Sequence, residues 1–132
     1  MAPIGDIRLN LNKSALDTQL KSPAGNLWRW MENRGNRAVS GAKRQVGVDT
    51  GKLRQSIHKR HNIETYGQSL WIGSNTVSYA YMHHQGTKPH LIAPKSGTIL
   101  RMGSSRIVHG PVMHPGTRSN PFLSSQTHHF RY

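Results

Sequence analysis

The chain has no cysteine, which excludes disulfides, thiolate metal sites and cysteine nucleophiles. It is also poor in acid. Its five carboxylates, Asp6, Asp17, Glu32, Asp49 and Glu64, all lie in the first half. From residue 65 to residue 132 there is no Asp or Glu, while six Lys or Arg and seven His occur there. That half cannot supply a carboxylate pair for acid–base or metal-ion chemistry. No apolar run approaches the ~20 residues that cross a bilayer, and the N-terminus lacks a signal-peptide core. The expectation is a soluble chain with no membrane partner, compatible with the reducing cytoplasm. Hydrophobic residues make up 34% of the sequence, low for a self-sufficient globule. Part of the apolar burial is therefore expected to come from neighbouring copies.

Positive charge is what the sequence has in excess. Lys and Arg number 18 against 5 Asp and Glu, for a net +13 over 132 residues. Such a surplus repels itself in the compact state and favours a polyanionic partner, though it says nothing about fold. The length fits a single domain with one modest core.

Along the chain, Ile7, Leu9 and Leu11 alternate with polar residues, as in a short strand, and Leu16 and Leu20 stand at helical spacing. Ser22-Pro23 reads as a helix N-cap followed by proline at the first helical position. From there Leu27, Trp28, Met31, Ala38, Val39, Ala42 and Val46 form one apolar stripe. Arg29, Arg34, Arg37, Lys43 and Arg44 lie largely off it and read as a solvated face. Gly25, Gly35 and Gly41 weaken this helix by roughly 1 kcal/mol each relative to alanine. A short helix follows, capped by Asp49-Thr50, with Leu53 and Ile57 facing the same way. The period then changes to two. Residues 58–65 and 69–74 read as a hairpin around a 66–68 turn, with Leu70 and Ile72 on one face. A loop or helical turn over 77–85 precedes strands at 90–93, 98–102 and 107–113, and 120–123 opens a short C-terminal segment. The fold class is α+β: one long N-terminal helix and a short helix packed on an antiparallel β-sheet with extended loops. The parts are an N-terminal arm (1–22), a helical part (23–57), a β-rich part (58–123) and a C-terminal tail (124–132).

Four stretches carry a pattern: residues 48–57 (VDTGKLRQSI), Trp71-Ile72-Gly73-Ser74 leading to Tyr79-Ala80-Tyr81, His84-Gln85-Gly86-Thr87, and His114-Pro115-Gly116-Thr117 through Pro121-Phe122-Leu123. In order and spacing they resemble the tail-component family of long-tailed phages, whose members are head-to-tail connector or tail-completion proteins. The family pattern runs DTG-x-L-R-x-S-I, then a strand ending in I-G or V-G, then Y-A followed by G-T, then a proline before F-L. The match covers Val48 to Leu123, somewhat over half the chain. Two features depart from it: Gln85 stands where an acid usually precedes G-T, and the segment from Lys88 to His114 is long. The resemblance implies a virion protein, made in the host cytoplasm, forming a hexameric ring in the neck or at the top of the tail. Its partners would be copies of itself, adjoining head-connector and tail-terminator or tail-tube proteins, and genomic double-stranded DNA contacted non-specifically.

The motif residues read as fold determinants: Asp49, Thr50, Gly51 and Leu53 at a helix start, Gly86, Thr87, Gly116 and Thr117 as turns, and Pro121 as a stiffener. Lys88, Lys95, Arg101, Arg106 and Arg118, with no acid to neutralise them, are candidates for the DNA channel wall or for a joint with an acidic partner. Trp28, Trp30, Trp71, Tyr79, Tyr81, Phe122 and Leu123 are candidate core or interface anchors.

Enzymatic readings fare poorly. His83, His84, His90, His109 and His114 invite a metal, but neither acid nor cysteine accompanies them and their spacing fits no zinc site. A histidine–asparagine–histidine nuclease built on His83, His84 and Asn120 lacks its carboxylate. There is no G-x-S-x-G elbow and no phosphate-binding glycine loop. The expectation is a structural protein with no metal and no cofactor. The other reading is a stand-alone basic nucleic-acid-binding protein, weakened by aromatics that do not interleave with a basic stripe.

Overall fold

The structure is a computed structural model describing residues 10–131 apart from residues 96, 103 and 104. The chain is α+β. Helix α1 (Lys13–Lys21) starts where Asn12 accepts the Ala15 N–H at 3.1 Å, and an Asp17–Lys21 pair at 3.0 Å spans its last turn. Of the strand expected from Ile7, residues 7–9 lie outside the described residues. Leu11 is exposed coil just before α1. Ser22-Pro23 does not open a helix. Ser22 ends α1, its N–H bonding back to Thr18, and its hydroxyl accepts the Ala24 N–H in the connecting turn. Serine satisfies backbone groups equally well at a turn, so the local sequence fits both.

Helix α2 (Asn26–Gln45) is the spine of the body. Its apolar stripe delivers Ala38, Ala42 and Val46 to a core completed by Leu53, Ile57, Ala80 and Phe122, with Ile57 and Phe122 the largest fully buried side chains. Two of its glycines sit where other elements lie against it. Gly35 lies under the Leu70 side chain, and Gly41 lies under the carboxamide of Gln126. Close packing thus offsets the helix-propensity cost of these glycines.

Helix α3 (Lys52–Ser56) begins at Gly51, in the left-handed conformation at φ 77°, with no side-chain cap. The expected Asp49-Thr50 cap is therefore not formed: both residues are exposed, and glycine makes the turn. Strands β1 (His58–Glu64) and β2 (Gly67–Gly73) pair antiparallel from His58↔Gly73 to Glu64↔Gly67, so the turn is Thr65-Tyr66 and not 66–68. Both strands lie against α2. Helix α4 (Ala80–Gln85) follows, then β3 (His90–Ile92), β4 (Ile99–Met102), β5 (Arg106–His109) and β6 (Val112–His114). The strands fall into three two-stranded sheets, β1–β2, β3–β6 and β4–β5, where a continuous sheet was expected. Residues 124–130, expected as part of a tail, form a 3₁₀ helix (Ser124–Phe130) packed on α2.

One polar cluster ties the hairpin to α2. Glu32 accepts hydrogen bonds from Lys59 and from His61 Nε2 (2.8 Å), and the His61 ring stacks on Trp28 at 3.9 Å between centroids. The Lys59 hydrogen bond first, and that of His61 second, hold the Glu32 carboxyl below its ordinary value against a smaller opposing effect of burial. A carboxyl depressed in the folded state stabilises above its unfolded pKa, and that stability disappears as pH falls through the folded one. Glu32→Gln should therefore lower Tm at neutral pH, by the equivalent of about 1 kcal/mol or less for a partly exposed pair. The gap from wild type should close in acid below the carboxylate range, as read by thermal melts at both pH values. A gap that widens in acid would contradict this.

Candidate functional site

Residues 86–118 leave the body and return as one antiparallel ribbon, here the β-arm. Its base is a junction between the two Gly-Thr pairs. Thr87 and Thr117 exchange both backbone hydrogen bonds, at 3.0 and 3.1 Å, and their hydroxyls lie 3.1 Å apart. Gly86 and Gly116 have φ of 77° and 86°. A Cβ on Gly86 would fall 2.6 Å from the Thr117 carbonyl oxygen, and one on Gly116 would strike that of Thr87. Neither position admits a side chain. Outward from there, His90 to Ile92 pair with His114 to Val112, and Ile99 to Met102 pair with His109 to Arg106. Between these ladders six residues (93–98) stand opposite two (Gly110 and Pro111), so the first strand carries an excess that Gly110 closes through its N–H to the Thr98 carbonyl at 2.7 Å.

Among the described residues the arm's strands pair with each other and with no strand of the body. Apolar side chains are left in water on it: Leu91 is 59% exposed, its cross-strand partner Met113 65%, Ile99 49% and Ile107 55%. An isolated two-stranded ribbon is marginal in water and needs a third strand or a packing surface to be stable.

All five predicted cationic contacts sit along this arm. Lys88 is exposed near its base, and its carbonyl is bonded by His90 Nδ1 at 2.9 Å. Lys95 lies in the 93–98 excess, Arg101 on β4, Arg106 on β5, and Arg118 just beyond the Thr87–Thr117 bridge, all exposed. No carboxylate occurs between residues 86 and 118.

The predicted anchors divide. Phe122 is fully buried and Leu123 packs against the same core. Trp28 is half-buried on His61, and Trp30 meets Phe130 edge-on at 6.3 Å. Trp71 (37% exposed, tilted on His58), Tyr79 (45%) and Tyr81 (73%) are surface groups. Of the motif residues, Leu53 is core, Asp49 and Thr50 are exposed, and Pro121 leads into the buried Phe122.

The histidines that invited a metal have other occupations. His83 and His84 flank Phe122 with ring centroids at 5.9 and 5.4 Å. The His83 carbonyl accepts the Asn120 N–H at 3.1 Å, and His84 Nε2 lies 3.3 Å from the Ser124 hydroxyl. His90 and His114 face each other across the arm at 5.1 Å. Among the described residues no three His, Asp or Glu side chains converge as a metal would require, and no helix is long and apolar enough to cross a membrane.

A second charged surface lies on the helix face that reads from sequence as merely solvated. Residues 30, 34, 37, 41 and 44 recur at helical spacing and form one stripe of α2, off which Arg29 and Lys43 fall. The 3₁₀ helix lies on this stripe at Gly41 and brings His128 and His129 beside its arginines; Arg34 donates to the His129 carbonyl at 2.8 Å. The stripe was readable from the spacing, but its meeting with residues about ninety positions away was not. Comparison of the chain with protein-family models, with curated proteins and with solved structures finds no match to any of them.

Proposed function

We propose that the protein is a structural subunit of the head-to-tail connector of a long-tailed phage, a ring in the neck or at the top of the tail. The observation that carries this reading is the β-arm. It leaves the body at a doubled Gly-Thr junction, exposes apolar and cationic side chains together, and among the described residues pairs with no strand of the body. Repeated copies supply it with a packing surface. The order of the motifs from Val48 to Leu123 agrees with the same family, and their residues serve the two parts that a ring subunit needs. Leu53, Phe122 and Leu123 hold the small body together, while Gly86-Thr87 and Gly116-Thr117 launch the arm. Mechanism here is assembly: arms order against neighbouring copies and adjoining rings, and the cations meet phosphates or acidic partner surfaces.

The competing reading, a stand-alone nucleic-acid-binding protein, draws support from the arm's shape, since a two-stranded ribbon fits the DNA major groove. Light scattering of the purified, nuclease-treated chain across a salt series separates the two. The ring reading predicts a closed oligomer of fixed mass. A persistent monomer that binds duplex DNA tightly would favour the competitor.

A further inference from the structure

The arginine stripe of α2 and the 3₁₀ helix build a cluster that the β-arm account leaves unused. Arg34, Arg37 and Arg44 line one side of α2, and His128 and His129 lie beside them, their rings tilted 40° with centroids 4.0 Å apart. The cations around His129 are Arg37, Arg34 and Arg44, with the His128 ring against its own. Arg37, Arg44 and His128 are exposed, while Arg34 and His129 are half-buried. Like charges gathered on one face cost a folded protein stability unless an anion neutralises them.

We propose that this α2–3₁₀ face is a binding site for the phosphate backbone of duplex nucleic acid, distinct from the β-arm. Arg34 and Arg44 are ten residues apart, about 15 Å along the helix. One DNA strand presents a phosphate about every 3.4 Å of axis, so the stripe spans roughly four phosphates. Readout of bases is not built in: Arg34 is tied to the His129 carbonyl and covers the Trp30 ring at 5.4 Å. Trp30 and Phe130 are half-buried against each other, which removes them as stacking platforms and favours duplex over single strand. The site rests on the connector reading only for the identity of its duplex, the packaged genome.

Burial first, and the surrounding cations after it, hold the His129 imidazole below its ordinary value. A phosphate beside it would raise that value, so binding should take up a proton and tighten as pH falls. The test uses the intact chain and a duplex of arbitrary sequence in fluorescence anisotropy across a salt series. The double variant Arg37→Ala/Arg44→Ala should bind at least about tenfold more weakly near 50 mM salt, with a salt slope shallower by about two. Both side chains are exposed, so circular dichroism should report an unchanged fold. Lys95→Ala/Arg101→Ala/Arg106→Ala on the arm should change the slope independently, its effect adding to that of the helix variant and not replacing it. The gain in affinity from about pH 8 to about pH 6 should vanish in His128→Gln/His129→Gln. Absence of duplex binding by the wild type, an unchanged slope in the helix variant, or a loss confined to the arm variant would overturn the proposal. Tighter binding to a single strand than to the duplex would do so too. Ring formation is read separately by mass, so either idea can fail without the other.

Discussion

Replacing residues 93–111 by Asn-Gly should leave the purified chain a folded monomer under conditions where the parent forms rings. The exchange removes the distal arm and joins Ile92 to Val112 through a two-residue turn. These two residues already face each other in register, and Asn-Gly is the dipeptide that closes such a ladder. None of the core residues lies in the removed segment, and the Thr87–Thr117 bridge is retained. Stability should therefore change by no more than about 0.5 kcal/mol, as for other surface changes. Assembly should be lost entirely, because the exposed Ile99 and Ile107, together with Lys95, Arg101 and Arg106, leave with the segment. Light scattering measures the mass, and a urea titration checks the fold. A shortened chain that still formed the parent's oligomer would remove the arm from the assembly mechanism.

Phe122→Ala should have the largest effect on stability, a loss of about 3–5 kcal/mol. The side chain is 0% exposed and fills the core between α2, α3 and α4, with His83 and His84 against its ring. Domains of this kind are stable by only about 5–15 kcal/mol, so most of the margin is at risk. The small core, seven buried apolar side chains among the described residues, has little else to redistribute. A shift of the urea midpoint with unchanged slope would record the loss. Tyr81→Ala offers the contrast: Tyr81 is 73% exposed and should cost within about 0.5 kcal/mol. Equal effects from the two would mean that burial in the isolated chain does not decide their roles.

The parts of this fold that were legible in sequence are those set by local period. Leu27 to Val46 announced α2 through spacing of three and four, and Leu70 and Ile72 announced β2 by alternation. Boundaries failed where one residue type serves two purposes. Ser22 suits a helix start and a turn alike, and Asp49-Thr50 resembles a cap although Gly51 makes the turn by its positive φ. Pairings across distance were out of reach. The two Gly-Thr dipeptides looked like separate turns because nothing local says that residues thirty apart are joined. The 3₁₀ helix was read as a tail because its place depends on a slot that Gly41 opens in a helix some eighty residues earlier. For the same reason the cations of the arm were identified one by one, whereas the helix arginines read only as a solvated face and their meeting with His128 and His129 was not legible.

A connector subunit resides in the finished particle. Quantitative mass spectrometry of gradient-purified particles, from the phage that on this reading encodes it, measures the copies per particle against the capsid protein. A ring subunit should be present in a small fixed number, that of a hexamer, and should stay with the particle through high salt. Its absence from the particles, or a copy number that varies with washing, would contradict the claim that this cationic arm exists to join one copy to the next.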